Sequence, residues 1–157
     1  MRKPRVLIDF QQALADLTAS PELCNAVRAD ATVLQARYVL TERELRRLLS
    51  IVRHPGMAGA CTVYRMNRLA PLALNLRATL HSLGPEARSL LSEYWRDHPH
   101  GHAHFLLESD RFCRWLRMRI DSGEITSPAA SAALQRETVL VREALEASYT
   151  EMSPQQA

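Results

Sequence analysis

Apolar residues recur at helical spacing along almost the whole chain, and this pattern limits the fold more than any other feature. Val6, Phe10, Leu14 and Leu17 follow the i, i+4, i+8, i+11 positions of one helix face. Strand-like alternation is almost absent, and Glu137–Val141 ("ETVLV") is the one place where a short C-terminal strand fits. The sequence therefore predicts a mainly α protein, a single-domain helical bundle of about seven or eight helices.

Helix start signals divide this pattern into segments. Each signal places a hydroxyl side chain at the capping position, with a proline or a glutamate in the turn that follows. The three signals are Ser20 before Pro21, Thr41 with Glu44, and Ser127 before Pro128. We expect a helix to begin at each of them.

Proline and glycine supply the stop signals. "HPG" at residues 54–56 and Gly84-Pro85 each predict the end of a helix. Pro71 lies inside a helical pattern, where it removes a hydrogen bond, so we expect a kink or two helices meeting there. Residues 30–40 fit either a helix or an extended connection.

Length and cysteine usage suggest one domain in a reducing compartment. The 157 residues suit one helical recognition domain over residues 1–150, followed by a flexible tail at 151–157. Cys24, Cys61 and Cys113 are odd in number and far apart, which argues against a disulfide framework. No segment resembles a signal peptide or a membrane span, so we expect a cytoplasmic protein without a membrane partner.

The charge distribution gives weak support for nucleic-acid binding. The chain carries 20 basic and 17 acidic residues, and Lys3 is the only lysine among the basic ones. Arginine suits bidentate contacts with carboxylate or phosphate. No long basic run occurs, and a net charge of +3 is low for a nucleic-acid partner. Residues 111–119 ("RFCRWLRMR") keep a DNA-binding regulatory protein as the alternative function.

A histidine-rich segment raises the question of a metal site. Alternation would place its four imidazoles on one face of a strand, but Pro99 and Gly101 disfavour a regular strand. Structural zinc sites usually draw their ligands from two separated pairs. We therefore expect a solvated loop and no metal site. The weak metal candidates are His98, His100, His102 and His104.

Signals for catalysis are equally thin. No nucleophile elbow and no cysteine–histidine motif occur. The carboxylates of Glu93, Asp97, Glu108 and Asp110 could include an acid–base pair, although solvated helix faces often produce such pairs. The residues alone therefore indicate a helical binding module with no catalytic residues of its own.

Three segments nevertheless resemble a known family. They are "YRMNRLAPLALNLRATLHSLG" (Tyr64–Gly84), "EYWRDHPH" (Glu93–His100) and "RFCRWL" (Arg111–Leu116), and Leu40–Met57 adds to the likeness. Together they resemble the MbnC-like family, whose members carry a DNA-binding-domain designation and accompany multinuclear non-haem iron oxygenases. The resemblance covers about residues 41–120. One departure is Asn75-Leu76-Arg77, near the place where the family usually has Phe-Pro.

The resemblance implies a role in methanobactin biosynthesis. Members are non-catalytic subunits that form a heterodimer with an MbnB-like iron oxygenase, so the iron would lie in the partner and this chain would hold no cofactor. The pair binds the leader of a ribosomal precursor peptide, MbnA-like, and converts its cysteines to oxazolone–thioamide groups that chelate copper. Within that family His98-Pro99 matches a common "HP" pair, and the other three histidines have no counterpart.

Seven residues are the predicted partner- and peptide-binding set. Arginines could pair with an acidic leader or with the oxygenase, and large aromatics are common anchors of binding surfaces. The alternative is that the aromatic residues belong to the core. Because no strong edge strand is present, we expect a helical groove. The set is Tyr64, Arg65, Arg68, Phe112, Arg114, Trp115 and Arg117.

Overall fold

The computed structural model describes residues 5–152, and this part of the chain is helical almost throughout. The prediction of a mainly α protein is confirmed. A short 3-10 helix, Gly84–Glu86, lies between the sixth and seventh α-helices. The helices are α1 Arg5–Ala19, α2 Pro21–Ala29, α3 Thr32–Arg37, α4 Glu42–Arg53, α5 Gly56–Asn75, α6 Arg77–Leu83, α7 Ala87–Asp97, α8 Phe105–Asp121 and α9 Pro128–Met152.

The structure decides between one pair of alternatives and corrects another detail of the prediction. Residues 30–40, left open between helix and extended chain, contain the short helix α3. Glu137–Val141 lies inside α9, so the strand alternative is wrong for that segment. Of the predicted flexible tail, Glu151 and Met152 belong to α9, and residues 153–157 lie outside the described part of the chain. None of the helices described is both long and apolar enough to cross a membrane.

The three predicted start signals are confirmed. Ser20, Thr41 and Ser127 each accept a hydrogen bond from the main-chain N–H three residues later, at 3.1, 3.3 and 3.2 Å. The main-chain N–H of Thr41 also donates to Glu44 Oε2 at 2.8 Å, which completes the predicted capping box. These bonds satisfy amide groups that have no partner inside the helix.

The interruption near Pro71 falls later than predicted. Helix α5 continues through Pro71 as far as Asn75, and the chain leaves helical geometry at Leu76, with φ −127° and ψ 39°. Ser109 Oγ lies 3.2 Å from the carbonyl oxygen of Pro71 and donates to it. Two helices do meet in this segment, but at Leu76 and not at the proline.

The described chain divides into two compact units at Met66–Asn67, inside α5. The first unit has its own core, to which α1, α2, α3, α4 and the beginning of α5 contribute. Its fully buried aliphatic side chains come from four different helices, which is the pattern of packed amphipathic helices. They include Leu17, Val27, Leu34, Leu48 and Val52.

The second unit is built around three aromatic rings. The Tyr94 ring lies 5.0 Å from that of Phe112 and 5.5 Å from that of Trp115, both with edge-to-face geometry. Such pairs stabilise by about 0.5–1.5 kcal/mol beyond their burial. Leu72, Leu76, Leu116 and Leu134 are fully buried in the same core. The rings therefore tie α7 to α8 within this unit.

A glutamate on α9 caps helix α6. Leu76, at the capping position of α6, has no side-chain oxygen, and Glu137 takes over this task. Its carboxylate accepts hydrogen bonds from the main-chain N–H groups of Ala78 and Thr79 at 2.8 and 2.9 Å. The hydroxyl of Thr79 donates to the same carboxylate at 2.7 Å. A charge placed there also suits the positive end of the helix dipole.

We expect Glu137→Ala to lower the free energy of unfolding by about 1–2 kcal/mol, because it leaves the first amides of α6 without acceptors. Urea denaturation measures this change. Glu143→Ala is the matched control, since Glu143 is exposed on the same helix, and it should stay within about 0.5 kcal/mol of wild type. Equal losses in the two variants would contradict the capping role.

Candidate functional site

A buried ion pair lies at the centre of the second unit. Arg68, on α5, and Glu108, on α8, are only 4% and 1% exposed. The Nε and Nη2 atoms of Arg68 lie 2.9 and 2.8 Å from Glu108 Oε1. Two charges buried in this way are tolerated only when their remaining hydrogen-bonding groups also find partners.

Three further groups complete the surroundings of Glu108. Its Oε2 atom accepts from the main-chain N–H of His102 at 2.8 Å and from Arg111 Nη2 at 2.9 Å. Its Oε1 atom accepts from the hydroxyl of Tyr94 at 3.2 Å. We call these residues, with Arg68, the Glu108 cluster. The carboxylate thus has donors on both oxygens, which is what a buried carboxylate needs.

The Glu108 cluster holds the histidine loop, residues 98–104, by its main chain. Arg68 Nη1 donates to the carbonyl oxygens of His98 and Pro99 at 2.7 and 3.2 Å. The N–H of His102 binds Glu108 from the other end of the loop. The loop conformation is therefore fixed through carbonyl and amide groups that any residue could supply.

Gly101 is required by this arrangement for steric reasons. A Cβ atom at position 101 would lie 2.9 Å from three side-chain atoms of Arg68. Such a distance is a clash, and Arg68 has little freedom to move because it is buried and held by Glu108. The glycine therefore allows the loop to pass directly over the arginine.

The pKa of the Glu108 carboxyl reflects a competition between burial and hydrogen bonding. Burial alone would raise this pKa, since it disfavours the charged form. The His102 N–H and the charges of Arg68 and Arg111 outweigh burial, so the pKa is lowered from its ordinary value. Burial raises the pKa of the neighbouring Tyr94 hydroxyl, with a contribution from the Glu108 charge. Glu108 is consequently a stable anion at neutral pH.

The four histidines do not gather around a common point as ligands. The His98 ring is half-buried and lies 4.9 Å from the ring of Tyr94. His100, His102 and His104 are exposed. Among residues 5–152, no group of three or more histidine, cysteine or acidic side chains is placed to hold a metal ion. The expectation of a loop is confirmed, and whether it binds metal stays a prediction.

The candidate acid–base carboxylates are all engaged in ion pairs. Glu93 pairs with Arg119 at 2.9 Å, and Glu108 lies in the cluster described above. Asp97 accepts from Trp115 Nε1 at 2.9 Å, and this bond is the main cause that lowers its pKa. The fourth carboxylate, Asp110, pairs with Arg114 and Arg142 at 3.0 and 3.5 Å.

Three of the seven predicted binding residues belong to the core. Phe112 and Trp115 are 0% and 4% exposed, and Arg68 is buried in its ion pair. The guanidinium of Arg119 covers the Trp115 ring at 4.4 Å. The core alternative therefore holds for both aromatics. These three side chains offer no surface to a partner, because they are buried in contacts inside the unit.

Two more of the predicted residues belong to the first unit. Tyr64 and Arg65 are half-buried on α5. Arg65 Nη2 lies 2.9 Å from both carboxylate oxygens of Glu22, on α2. This pair links α2 to α5 inside that unit. Tyr64 and Arg65 therefore belong to a different unit from the other five predicted residues.

The remaining two, Arg114 and Arg117, line a groove between α8 and α9. We call it the α8–α9 groove, and its volume is about 560 Å³. Cys113 and Thr138 contribute to its lining, and Met118 and Val139 are 64% and 52% exposed there. The lining residues are Cys113, Arg114, Arg117, Met118, Gln135, Thr138, Val139 and Arg142.

The α8–α9 groove combines positive charge with apolar surface. Arg114, Arg117 and Arg142 are its charged residues, and its lining includes no carboxylate. Asp110 pairs with Arg114 and Arg142 nearby, while Arg117 makes no ion pair within the described part of the chain. Burial raises the pKa of the Cys113 thiol to about 11, so this thiol is a poor nucleophile at neutral pH. The groove is suited to binding an acidic, partly apolar segment.

Sequence reasoning missed two residues that define these features. The sequence indicates Glu108 only as one of four candidate acid–base carboxylates, and its pairing with a residue 40 positions away has no local signal. Arg142 joins the groove because α9 packs beside α8, which again depends on tertiary packing. Only the helical spacing of Arg114 and Arg117 could have pointed to an exposed basic face.

Comparison with known proteins adds no relative. No protein-family model, no curated protein and no solved structure matches this chain.

We expect Glu108→Gln to lower the free energy of unfolding at pH 7 by about 3–5 kcal/mol, because Arg68 would stay buried without its counter-charge. The lowered pKa means that Glu108 stabilises the fold above its unfolded-state pKa and loses this effect as pH falls through the folded-state pKa. The difference between variant and wild type should therefore shrink below about pH 4.5. Urea denaturation across pH measures it.

Glu143→Gln, at an exposed position, is the control and should show a difference near zero at every pH. A Glu108→Gln penalty that stays constant down to pH 3 would contradict the ionised pair, since protonated wild type would then retain its full advantage.

Proposed function

We propose that this chain is a non-catalytic partner subunit that binds an acidic peptide segment in the α8–α9 groove. The observation that carries the proposal is the groove itself, where three arginines surround exposed Met118 and Val139. Arginine forms bidentate pairs with carboxylates, and apolar side chains of a peptide would bury the methionine and valine. The groove would thus favour a helical or extended segment with both kinds of residue.

The resemblance to the MbnC-like family supplies the biological setting of the proposal. In that setting the acidic segment is the leader of an MbnA-like precursor, and the chemistry belongs to an MbnB-like iron oxygenase. The oxygenase would convert cysteines of the precursor to oxazolone–thioamide groups, giving the copper-chelating methanobactin. This chain would contribute recognition, and its own acidic groups near the groove would maintain the fold.

Co-purification from the native host is the first test. We expect untagged protein to elute with a stoichiometric iron oxygenase and a short cysteine-containing precursor, both identified by mass spectrometry. Iron should belong to the partner polypeptide after the two chains are separated. A chain that elutes alone from the native host would contradict the partner-subunit proposal.

The groove itself is tested by reversing its charge. We expect Arg114→Glu with Arg117→Glu to weaken binding of the precursor peptide by about tenfold or more per arginine, because each change removes a charged contact and adds repulsion. Peptide affinity by isothermal titration or by fluorescence anisotropy measures the loss. Circular dichroism checks that the fold is retained, since Arg114 is 64% exposed and Arg117 is half-buried.

Arg43→Glu with Arg47→Glu is the matched control, because both arginines are exposed on α4 and the change in net charge is identical. The control should bind the peptide like wild type. Equal weakening in both double variants would mean that net charge and not the groove attracts the peptide.

The alternative function is a DNA-binding regulator, and the groove variant also tests it. Phosphate contacts release counterions, so binding to duplex DNA falls steeply with salt concentration. Salt-sensitive retention on DNA that is lost in the groove variant, without any peptide binding, would favour the regulator. Arg114, Arg117 and Arg142 would then be phosphate contacts.

A further inference from the structure

Two cysteines that are distant in sequence meet in the core of the first unit. Cys24, on α2, and Cys61, on α5, are each 2% exposed. Both thiols donate to one acceptor, the carbonyl oxygen of Leu17, at 3.0 and 3.5 Å. Sharing one oxygen places the two sulfur atoms within a few Å of each other. The spacing of the three cysteines in the sequence does not predict this proximity.

A second contact shows that α2 and α5 are held together at this point. Arg65, one turn beyond Cys61, pairs with both oxygens of Glu22, which is two residues before Cys24. The ion pair and the thiol pair therefore occupy neighbouring positions along the same helix pair. Packing in the core, with this surface pair beside it, fixes the distance between the two cysteines.

We propose that Cys24 and Cys61 form a reversible disulfide, a modification site that links α2 to α5. A disulfide needs the two β-carbons at about 3.5–4.5 Å. The shared acceptor is the observation that supports such proximity of the two side chains. Cys113 belongs to the second unit and serves as the unpaired comparison. All three cysteines are free thiols in the structure, so the disulfide is the oxidised form of the site.

Exchange with a small disulfide such as oxidised glutathione gives a balanced reaction. One cysteine thiolate attacks a glutathione sulfur, forms a mixed disulfide and releases one glutathione thiolate. The second cysteine thiolate then attacks the protein sulfur of the mixed disulfide and releases the other glutathione. The two protons of the protein thiols pass to the two released thiolates. The protein is oxidised by two electrons, and one glutathione disulfide is reduced to two thiols.

The reaction in the folded protein should be slow and should accelerate with pH. Burial, with a contribution from Cys61, raises the pKa of the Cys24 thiol to about 12. The thiolate is therefore rare at pH 7, and its fraction grows about tenfold per pH unit. Attack also requires local opening of the core, because both thiols are shielded from solvent.

The test equilibrates the full chain with a glutathione redox buffer in two ways. In the first, the folded protein is incubated at pH 7, 8 and 9; in the second, urea-unfolded protein is refolded into the same buffer, so that access to the thiols is not limiting. Free thiols are then alkylated, and peptide mapping identifies the linked residues. We expect a Cys24–Cys61 linkage, with the loss of two hydrogen atoms in mass, and alkylated Cys113.

Two variants sharpen the result. Cys113→Ser should form the linkage like wild type, and Cys61→Ser should not form it and should leave Cys24 free or glutathionylated. If the refolded wild type keeps Cys24 and Cys61 as thiols in an oxidising glutathione buffer, the proposal is overturned. A linkage to Cys113 or between two molecules would overturn it equally.

Discussion

The ion pair between Arg68 and Glu108 is the interaction on which the second unit depends. Burying two charges costs several kcal/mol per ion, and mutual attraction returns that cost only with good geometry and full hydrogen bonding. Here the carboxylate accepts from side chains on α5, α7 and α8 and from the main chain of the histidine loop. One buried anion thus holds three helices and a loop together. A shift of α5 would separate Arg68 from its counter-charge, and a shift of α7 or of the loop would remove one hydrogen bond from Glu108.

The position of the α8–α9 groove follows from that constraint. Helix α8 turns Phe112 and Leu116 into the core and, two residues further along in each case, turns Arg114 and Met118 toward solvent. The 3.6-residue period fixes the angular positions of all side chains around a helix relative to one another. Anchoring Glu108 near the start of α8 therefore also determines which side chains face α9. A recognition surface built on a helix held in this way is preorganised, and a partner would bind it without ordering it first.

Local signals were sufficient to predict much of the fold, and contacts between distant residues explain the errors. Caps such as Ser20 and Thr41 act within one turn of chain, and the helical spacing of apolar residues is also a local pattern. The predicted helix starts and the predicted helical class were therefore correct. The interruption was predicted at Pro71 and lies at Leu76, where the new helix is capped by Glu137 from another helix. The Glu108 cluster was not predicted, because pairing across 40 residues leaves no local pattern. Phe112 and Trp115 were predicted as binding anchors and lie in the core, because burial leaves no local pattern either.

The histidine loop is held by main-chain groups, although its composition draws attention to its side chains. Four alternating imidazoles attract attention as ligands, yet the groups that the fold uses at this place are the carbonyl oxygens of His98 and Pro99 and the N–H of His102. Three of the nearby acidic groups, Glu93, Asp97 and Glu108, pair with arginine or tryptophan side chains. The charged residues of α8 therefore do two things. Glu108 stabilises the core, and Arg114 is exposed to solvent. These two uses of charge are compatible with the proposed function, in which this chain binds a peptide and the reaction takes place on a partner.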